Sequence, residues 1–229
     1  PPPPYNRMYT DPNYGGKDII QPIPGQVEGY LTPEEVNHIA KLYAGKVTLC
    51  DHWVGQFLDR VKELGMYDST LIIYTTDHGE PFGDHGIIRK AEPLLYEELV
   101  HIPLIVRHPE GMGAGKRFDA VVETTEIFPT ILDFLNVRRP PRIHGQSLLP
   151  IMSGEVESIR DYAYMGQFKR AWRVNDREWS FILNLDKDHS RELYNLKDDP
   201  GEKQDLFSAK PQKAMELELE LRRFVSGLR

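Results

Sequence analysis

Asp77 and His78 stand side by side, and both side chains can ligate a divalent metal, one through carboxylate oxygen and one through imidazole nitrogen. They follow the apolar run Leu71-Ile72-Ile73-Tyr74, which reads as a strand buried on both faces, as in a parallel sheet. Ligands in open α/β sheets gather beyond the carboxyl ends of strands. Two donors make half a metal site, and the plain alternative is a polar turn closed by Gly79. The loop that follows, Glu80-Pro81-Phe82-Gly83-Asp84-His85-Gly86-Ile87-Ile88-Arg89-Lys90, adds a second imidazole, two further glycines and two cations. Glycine lets backbone approach a ligand closely, and a lysine ammonium is a point charge suited to a sulfuryl or phosphoryl oxygen. Together they suit an oxyanion site beside a metal. The alternative for Arg89 and Lys90 is ordinary surface charge.

The elements that must position these residues are legible in outline. Residues 1 to 31 are rich in Pro, Gly, Tyr and Asn and read as an extended surface segment. Thr32-Pro33-Glu34-Glu35 is a helix start with a capping box, and Gly65 is a helix stop. Between them an amphipathic stripe runs from Val36 through Ile39, Tyr43, Val47, Cys50 and Val54 to Val61. Ile102 to Val106 is a second buried strand, Ala120 to Val122 a third, and a short helix is expected around Leu94 to Leu99. Glu126 to Leu135 reads as a helix capped by Thr124 or Thr125. From about residue 155 the pattern changes to short mixed segments, which suit an antiparallel sheet with one wet face, closed by a helix from Pro211. The expected organisation is therefore an α/β portion over 1–154 and a small sheet-plus-helix subdomain over 155–229.

The 229 residues carry a formal net charge of −7, which argues against a nucleic-acid surface. The Arg138-Arg139…Arg142 cluster, broken by prolines, reads as a solvated turn. A single cysteine excludes an internal disulfide framework and a cysteine-based zinc cluster, and Cys50 on the helix stripe reads as a small buried hydrophobe. No apolar run reaches membrane-spanning length and no signal peptide is visible, so a cytoplasmic and a periplasmic or secreted setting both stay open, as does oligomeric state. His101 and His144 read as structural, and nothing ties His38, His52 or His189 to chemistry.

Leu71 to Pro109 resembles the sulfatase pattern of the alkaline-phosphatase superfamily: a strand, Thr76-Asp77-His78-Gly79, then Gly83-Asp84-His85-Gly86, Lys90, Tyr96-Glu97 and a proline-bearing strand. The step of thirteen residues from Asp77 to Lys90 is similar to that of the iduronate- and choline-sulfatase branch. Cys50 to Gly55 with Leu64-Gly65, Glu126-Ile127-Phe128-Pro129-Thr130-Ile131-Leu132, and His144-Gly145-Gln146-Ser147-Leu148-Leu149-Pro150 resemble further segments of the family. So does Glu192-Leu193-Tyr194-Asn195-Leu196 with Asp199-Pro200-Gly201-Glu202. The resemblance covers roughly residues 30 to 207.

The resemblance implies part of an alkaline-phosphatase-like α/β/α sandwich with a C-terminal antiparallel sheet plus helix. It implies a sulfuric ester hydrolase acting on a small-molecule or glycan sulfate ester. Asp77 and His78 would hold the cation, calcium in most of the family, with manganese the alternative because a histidine ligand is softer than oxygen. Lys90 would be the catalytic residue that binds the ester oxygens, and His85 would line the substrate pocket. The branch commonly has a tryptophan where Ile88 stands. The family's nucleophile, a formylglycine made from the Cys or Ser of C-x-P-x-R or S-x-P-x-R, has no counterpart in the sequence. The chain is accordingly expected to begin inside a longer parent and to be inactive alone. The competing expectations are a phosphonate monoester hydrolase or phosphodiesterase of the same superfamily, and a non-catalytic sulfatase-like module.

Overall fold

The computed structural model describes residues 1–90, 94–167, 169–186 and 189–228. In chain order its elements are β1 (Gly25–Gln26), α1 (Pro33–Glu63), β2 (Ile72–Thr75), β3 (Ile87–Ile88), α2 (Glu97–Val100), β4 (Leu104–Arg107), α3 (Ile127–Phe134) and α4 (Leu149–Ser153). The strands β5 (Ala163–Gln167), β6 (Ala171–Asn175), β7 (Trp179–Asn184) and β8 (Arg191–Asn195) follow, and α5 (Pro211–Gly227) ends the chain. This is the mixed α/β architecture with a C-terminal antiparallel sheet plus helix that the sequence implies. It divides into two compact units, Pro1–Thr70 with Thr76–Leu94, and Leu71–Thr75 with Leu95–Arg229.

The first unit is organised by α1. The Thr32 hydroxyl accepts the Glu35 N–H at 3.2 Å and the Glu35 carboxylate accepts the Thr32 N–H at 2.8 Å, so both expected partners of the capping box are present. At the other end Gly65 is left-handed, and the N–H groups of Gly65 and Met66 return to the carbonyls of Lys62 and Val61, a Schellman closure. Leu31, Ile39 and Ile88 form the core here, with Val27, Val36 and Phe82 packed around them. The N-terminal segment is docked rather than merely extended. Asp18 bonds the buried His38 at 2.7 Å, and the Tyr14 ring stacks on that imidazole at 3.8 Å. The expected apolar stripe is buried only near the start of α1: Val47 is exposed, and Cys50 is exposed rather than a buried hydrophobe.

In the second unit β2 and β4 pair antiparallel, Ile72 opposite Arg107 and Thr75 opposite Leu104. This corrects the parallel, doubly buried reading. The cross-strand partners Tyr74 and Ile105 share the exposed face of the pair, so a continuous apolar run does not by itself specify parallel neighbours. Ala120 to Val122 is irregular, and Ala120 and Val122 pack as side chains against Leu148, Ile151 and Met152. A 3-10 turn, Thr124–Glu126, leads into α3, and the capping box there pairs Glu123 with Glu126 instead of using either threonine. Thr130 on α3 is fully buried; its hydroxyl donates to the Glu126 carbonyl at 2.6 Å and accepts the Leu148 N–H at 2.9 Å. Gly145 sits at φ 87°, where an added Cβ would meet the Thr125 carbonyl oxygen at 2.3 Å.

Strands β5 to β8 form a meander in sequence order. Its Val174, Phe181, Leu183 and Leu193 bury against Ala214, Leu217 and Leu221 of α5. The opposite face carries Arg173, Ser180, Asn184, Glu192 and Tyr194, and it is not wet. The Arg173 guanidinium is fully buried; Nη2 bonds the Glu97 carboxylate, while Nη1 bonds the Leu95 carbonyl at 2.6 Å and Glu202 at 3.1 Å. Glu202 also accepts from the Ser180 hydroxyl, and from the Glu97 N–H at 2.7 Å. Tyr96 and Tyr194 both donate to Glu192 at 2.7 Å. Polar alternation therefore marks a buried ionic layer here.

Two stability tests follow from these contacts. Arg173→Met should lower unfolding free energy by about 3–5 kcal/mol in urea titrations, because the buried Glu202 and the half-buried Glu97 carboxylates both lose their cation. A loss below about 1 kcal/mol would mean that the layer tolerates that deletion. Gly145→Ala should cost at least about 2 kcal/mol, from the left-handed backbone and the carbonyl clash together. A thermal midpoint equal to that of the unaltered protein would show that the turn relaxes instead.

Candidate functional site

Asp77 and His78 come directly after the strand ending at Thr75 and the linking Thr76, and their local bonding prepares both as donors. The His78 N–H donates to Asp77 Oδ1 at 3.0 Å, and the Thr76 hydroxyl donates to the same oxygen and to the His78 carbonyl, each at 3.3 Å. Oδ1 is thereby occupied from the protein side. The Asp77 side chain is largely exposed, and its carboxyl is held below the usual carboxylate range, first by its own backbone amide and then by the imidazole beside it. It is a full anion at neutral pH.

The His78 imidazole has a defined tautomer. Nδ1 lies 2.6 Å from the Gly79 carbonyl oxygen, which can only accept, so Nδ1 carries the proton. In the neutral ring Nε2 then keeps its lone pair. That nitrogen is 3.6 Å from Asp77 Oδ2. Neighbouring ligands on one cation are separated by about 3 Å or slightly more when each bond is about 2.1–2.5 Å. The donor types, the protonation pattern and the separation therefore fit a divalent ion. The pair supplies two donors, and among the described residues no group of three or more His, Cys, Asp and Glu side chains could hold an ion.

The loop carrying His85 and Lys90 is a closed structure in the same unit. Gly83 donates to the Ile87 carbonyl at 2.8 Å and Gly86 to the Gly83 carbonyl at 3.0 Å, with both glycines at positive φ. β3 pairs antiparallel with β1, Ile87 opposite Gln26 and Ile88 opposite Gly25. Ile88, where the resemblance expects tryptophan, is fully buried in the core with Leu31 and Ile39. It is a packing residue, and its apolar character follows from that. His85 is half-buried and Lys90 is exposed. The structure thus brings Asp77 and His78 into direct register and places His85 and Lys90 on one braced loop.

Two residues gain roles that type and spacing did not assign. Thr76 holds the Asp77 carboxylate, and only its hydroxyl next to a candidate ligand signals this. Arg89 is half-buried rather than a free surface charge: its Nη1 donates to the Pro22 carbonyl at 3.2 Å. A partner so far away in sequence leaves no local signal. His101 bonds Glu97 at 2.9 Å, which raises its basicity, first through that hydrogen bond. The buried His108 accepts the Glu110 N–H at 3.2 Å through Nδ1 and meets the Phe134 ring edge-on.

Two family models match the chain. The sulfatase model matches residues 1–137, and the model of the C-terminal region of N-sulphoglucosamine sulphohydrolase matches residues 83–226. An N-acetylglucosamine-6-O-sulfatase of Bacteroides thetaiotaomicron is 31% identical over 188 residues, which is 76% of this chain and 33% of that protein. A solved structure of a protein with its substrate D-glucosamine-2-N,6-O-disulfate superposes with a TM-score of 0.74 at 28% identity, covering 83% of this chain and 41% of the other. The phosphonate monoester hydrolase of Agrobacterium radiobacter superposes with a TM-score of 0.71 at 26% identity, covering 84% of this chain and 42% of its own. The chain thus spans about a third to two-fifths of the length of these relatives. Their shared fold is that of the alkaline-phosphatase superfamily, whose sulfatases generally use a divalent metal. On the two family models, each covering more than half of its residues, this chain belongs to the sulfatase family.

Proposed function

We propose that the whole protein hydrolyses sulfate monoesters and that this chain supplies two of its metal donors and its sulfate-binding lysine. The observation that carries the reading is the Asp77 Oδ2 to His78 Nε2 separation of 3.6 Å, with the far side of each group already bonded to protein. Calcium is the first candidate ion and manganese the second, since one donor is nitrogen. A bound dication would offset negative charge that develops on the ester oxygens.

The chain's own residues have separable tasks. Thr76 and the His78 amide fix Asp77 Oδ1, and Oδ2 would be the oxygen that holds an ion. The Gly79 carbonyl holds the His78 proton on Nδ1, so ion binding at Nε2 requires no prior proton loss from the neutral ring. Lys90 places a positive charge that binds the sulfuryl oxygens of the ester in the ground state and the transition state alike. His85 lines the substrate side of the same loop. The nucleophile is proposed to come from outside these residues, because the sequence holds no C-x-P-x-R or S-x-P-x-R pattern. Sulfated amino sugars are the substrate class to test first, supported by the relative named for N-acetylglucosamine 6-O-sulfate and by the glucosamine disulfate held in the solved neighbour.

In the whole protein, Asp77→Asn and His78→Ala should each lower kcat/KM on 4-nitrophenyl sulfate by at least about a hundredfold. Each should also reduce tightly bound metal, measured by plasma mass spectrometry. Full metal content together with an unchanged rate would remove the pair from the site. A second reading, phosphonate monoester hydrolysis, is favoured by the likeness to the Agrobacterium enzyme. A comparison of kcat/KM on 4-nitrophenyl sulfate and 4-nitrophenyl phenylphosphonate separates the two. The sulfate is expected to be the better substrate, and a clear preference for the phosphonate would transfer the protein to the second reading.

A further inference from the structure

We propose that Arg89 is a positioning residue, whose clamp onto the Pro22 carbonyl and the Glu80 carboxylate sets the direction in which Lys90 leaves the loop. The inference rests on the reading of Lys90 as the sulfate-binding cation. Between Ile88 and Lys90 the chain passes from full burial to exposure across one residue. It does so because Arg89 is left-handed, at φ 59°. That region is disfavoured for any residue with a Cβ, and a long side chain occupies it only when the surroundings hold it there.

The restraints are visible on both sides of the turn. The Arg89 N–H donates to the Pro81 carbonyl at 3.2 Å, and Nη1 donates to the Pro22 carbonyl at 3.2 Å. Nε lies 3.8 Å from Glu80 Oε1. Ile88 before it is locked in the core and in the β1–β3 ladder. The guanidinium therefore spans from the start of the loop to the N-terminal segment, and its release would let residue 89 relax to negative φ. That relaxation would swing the next residue, Lys90, off its line. A glycine would take the same φ freely, so an arginine here is explained by its side-chain anchor rather than by the turn.

The test is a double-mutant cycle in the whole protein on 4-nitrophenyl sulfate. Arg89→Ala is expected to raise KM about tenfold with kcat within about twofold, and Glu80→Gln to shift KM in the same direction by less. In a Lys90→Ala background, Arg89→Ala should change KM by less than about twofold, because its effect passes through the lysine. Additive effects would overturn the positioning role, since a merely structural residue would weaken both backgrounds alike. If Lys90→Ala raises KM and Arg89→Ala does not, the positioning inference falls while the reading of Lys90 stands. If Lys90→Ala leaves KM unchanged, that reading falls and takes the inference with it. Should Arg89→Ala not fold, Glu80→Gln in the two backgrounds decides the matter: a KM rise confined to the Lys90 background supports the inference, and its absence there rejects it.

Discussion

The second unit is built around a guanidinium that has no route to water. Arg173 lies between Glu97 and Glu202, with the Leu95 carbonyl as a further acceptor, and only its Nε lacks a partner among the described residues. Burying such a cation is strongly unfavourable unless its donors are met by oppositely charged acceptors. Glu202 shows the other side of the balance. Burial pushes its carboxyl up, and Arg173, the Ser180 hydroxyl and the Glu97 amide pull it back without cancelling the rise. Burial likewise pushes Glu97 up, yet its bonds to His101 and Arg173 outweigh this and it settles below the usual range. An ionic layer of this kind contributes little net stability against an apolar one, but it admits very few arrangements of its members. It requires the segment at Leu95–Glu97, the β6 and β7 strands and the turn at Glu202 to be in place together.

That requirement accounts for part of the family signature. Tyr96 and Glu97, the Glu192-Leu193-Tyr194 run and the Asp199-Pro200-Gly201-Glu202 turn look like separate motifs in the sequence. In the structure they are one hydrogen-bonded layer, with Tyr96 and Tyr194 sharing the Glu192 carboxylate. Burial, and then Glu192, push both tyrosine hydroxyls up, so they remain donors. Glu202 itself sits at φ 53°, and the turn's Asp199 carbonyl accepts its N–H at 3.0 Å. The motif around Thr130 and that around Gly145 to Leu148 are also one feature, joined through the Thr130 hydroxyl. The Thr76–Gly79 turn is of another kind, because its bonds stay among neighbouring residues and leave Asp77 Oδ2 and His78 Nε2 3.6 Å apart.

Legibility followed how far each interaction reaches along the chain. The cap at Thr32, the stop at Gly65, the meander strands and the buried stripe of α5 rest on contacts within a few residues or on a regular period, and each is visible in the sequence. The proposed donor pair can be named from the sequence for the same reason, since Asp77 and His78 are adjacent. What stayed hidden depends on distant partners. The polar residues of β6 to β8 look solvated until Tyr96, Glu97 and Glu202 are brought over them. Arg89 looks like surface charge until Pro22 is placed beside it. The apolar run of β2 carries no information about strand direction, which is settled only by its antiparallel pairing with β4.

A metal site assembled from residues far apart needs the whole fold to hold its geometry. Here the orientation of the two proposed donors is set within four consecutive residues: Thr76 binds Asp77, the His78 amide binds Asp77, and Gly79 binds the His78 ring. The tautomer that frees Nε2 and the occupation of Oδ1 are therefore local properties of the T-D-H-G turn, independent of the ionic layer around Arg173. Lys90 differs, because its direction depends on a left-handed residue anchored to a carbonyl in the N-terminal segment. The proposed metal donors and the proposed sulfate-binding lysine thus rest on different physical supports, so mutation can weaken either without the other.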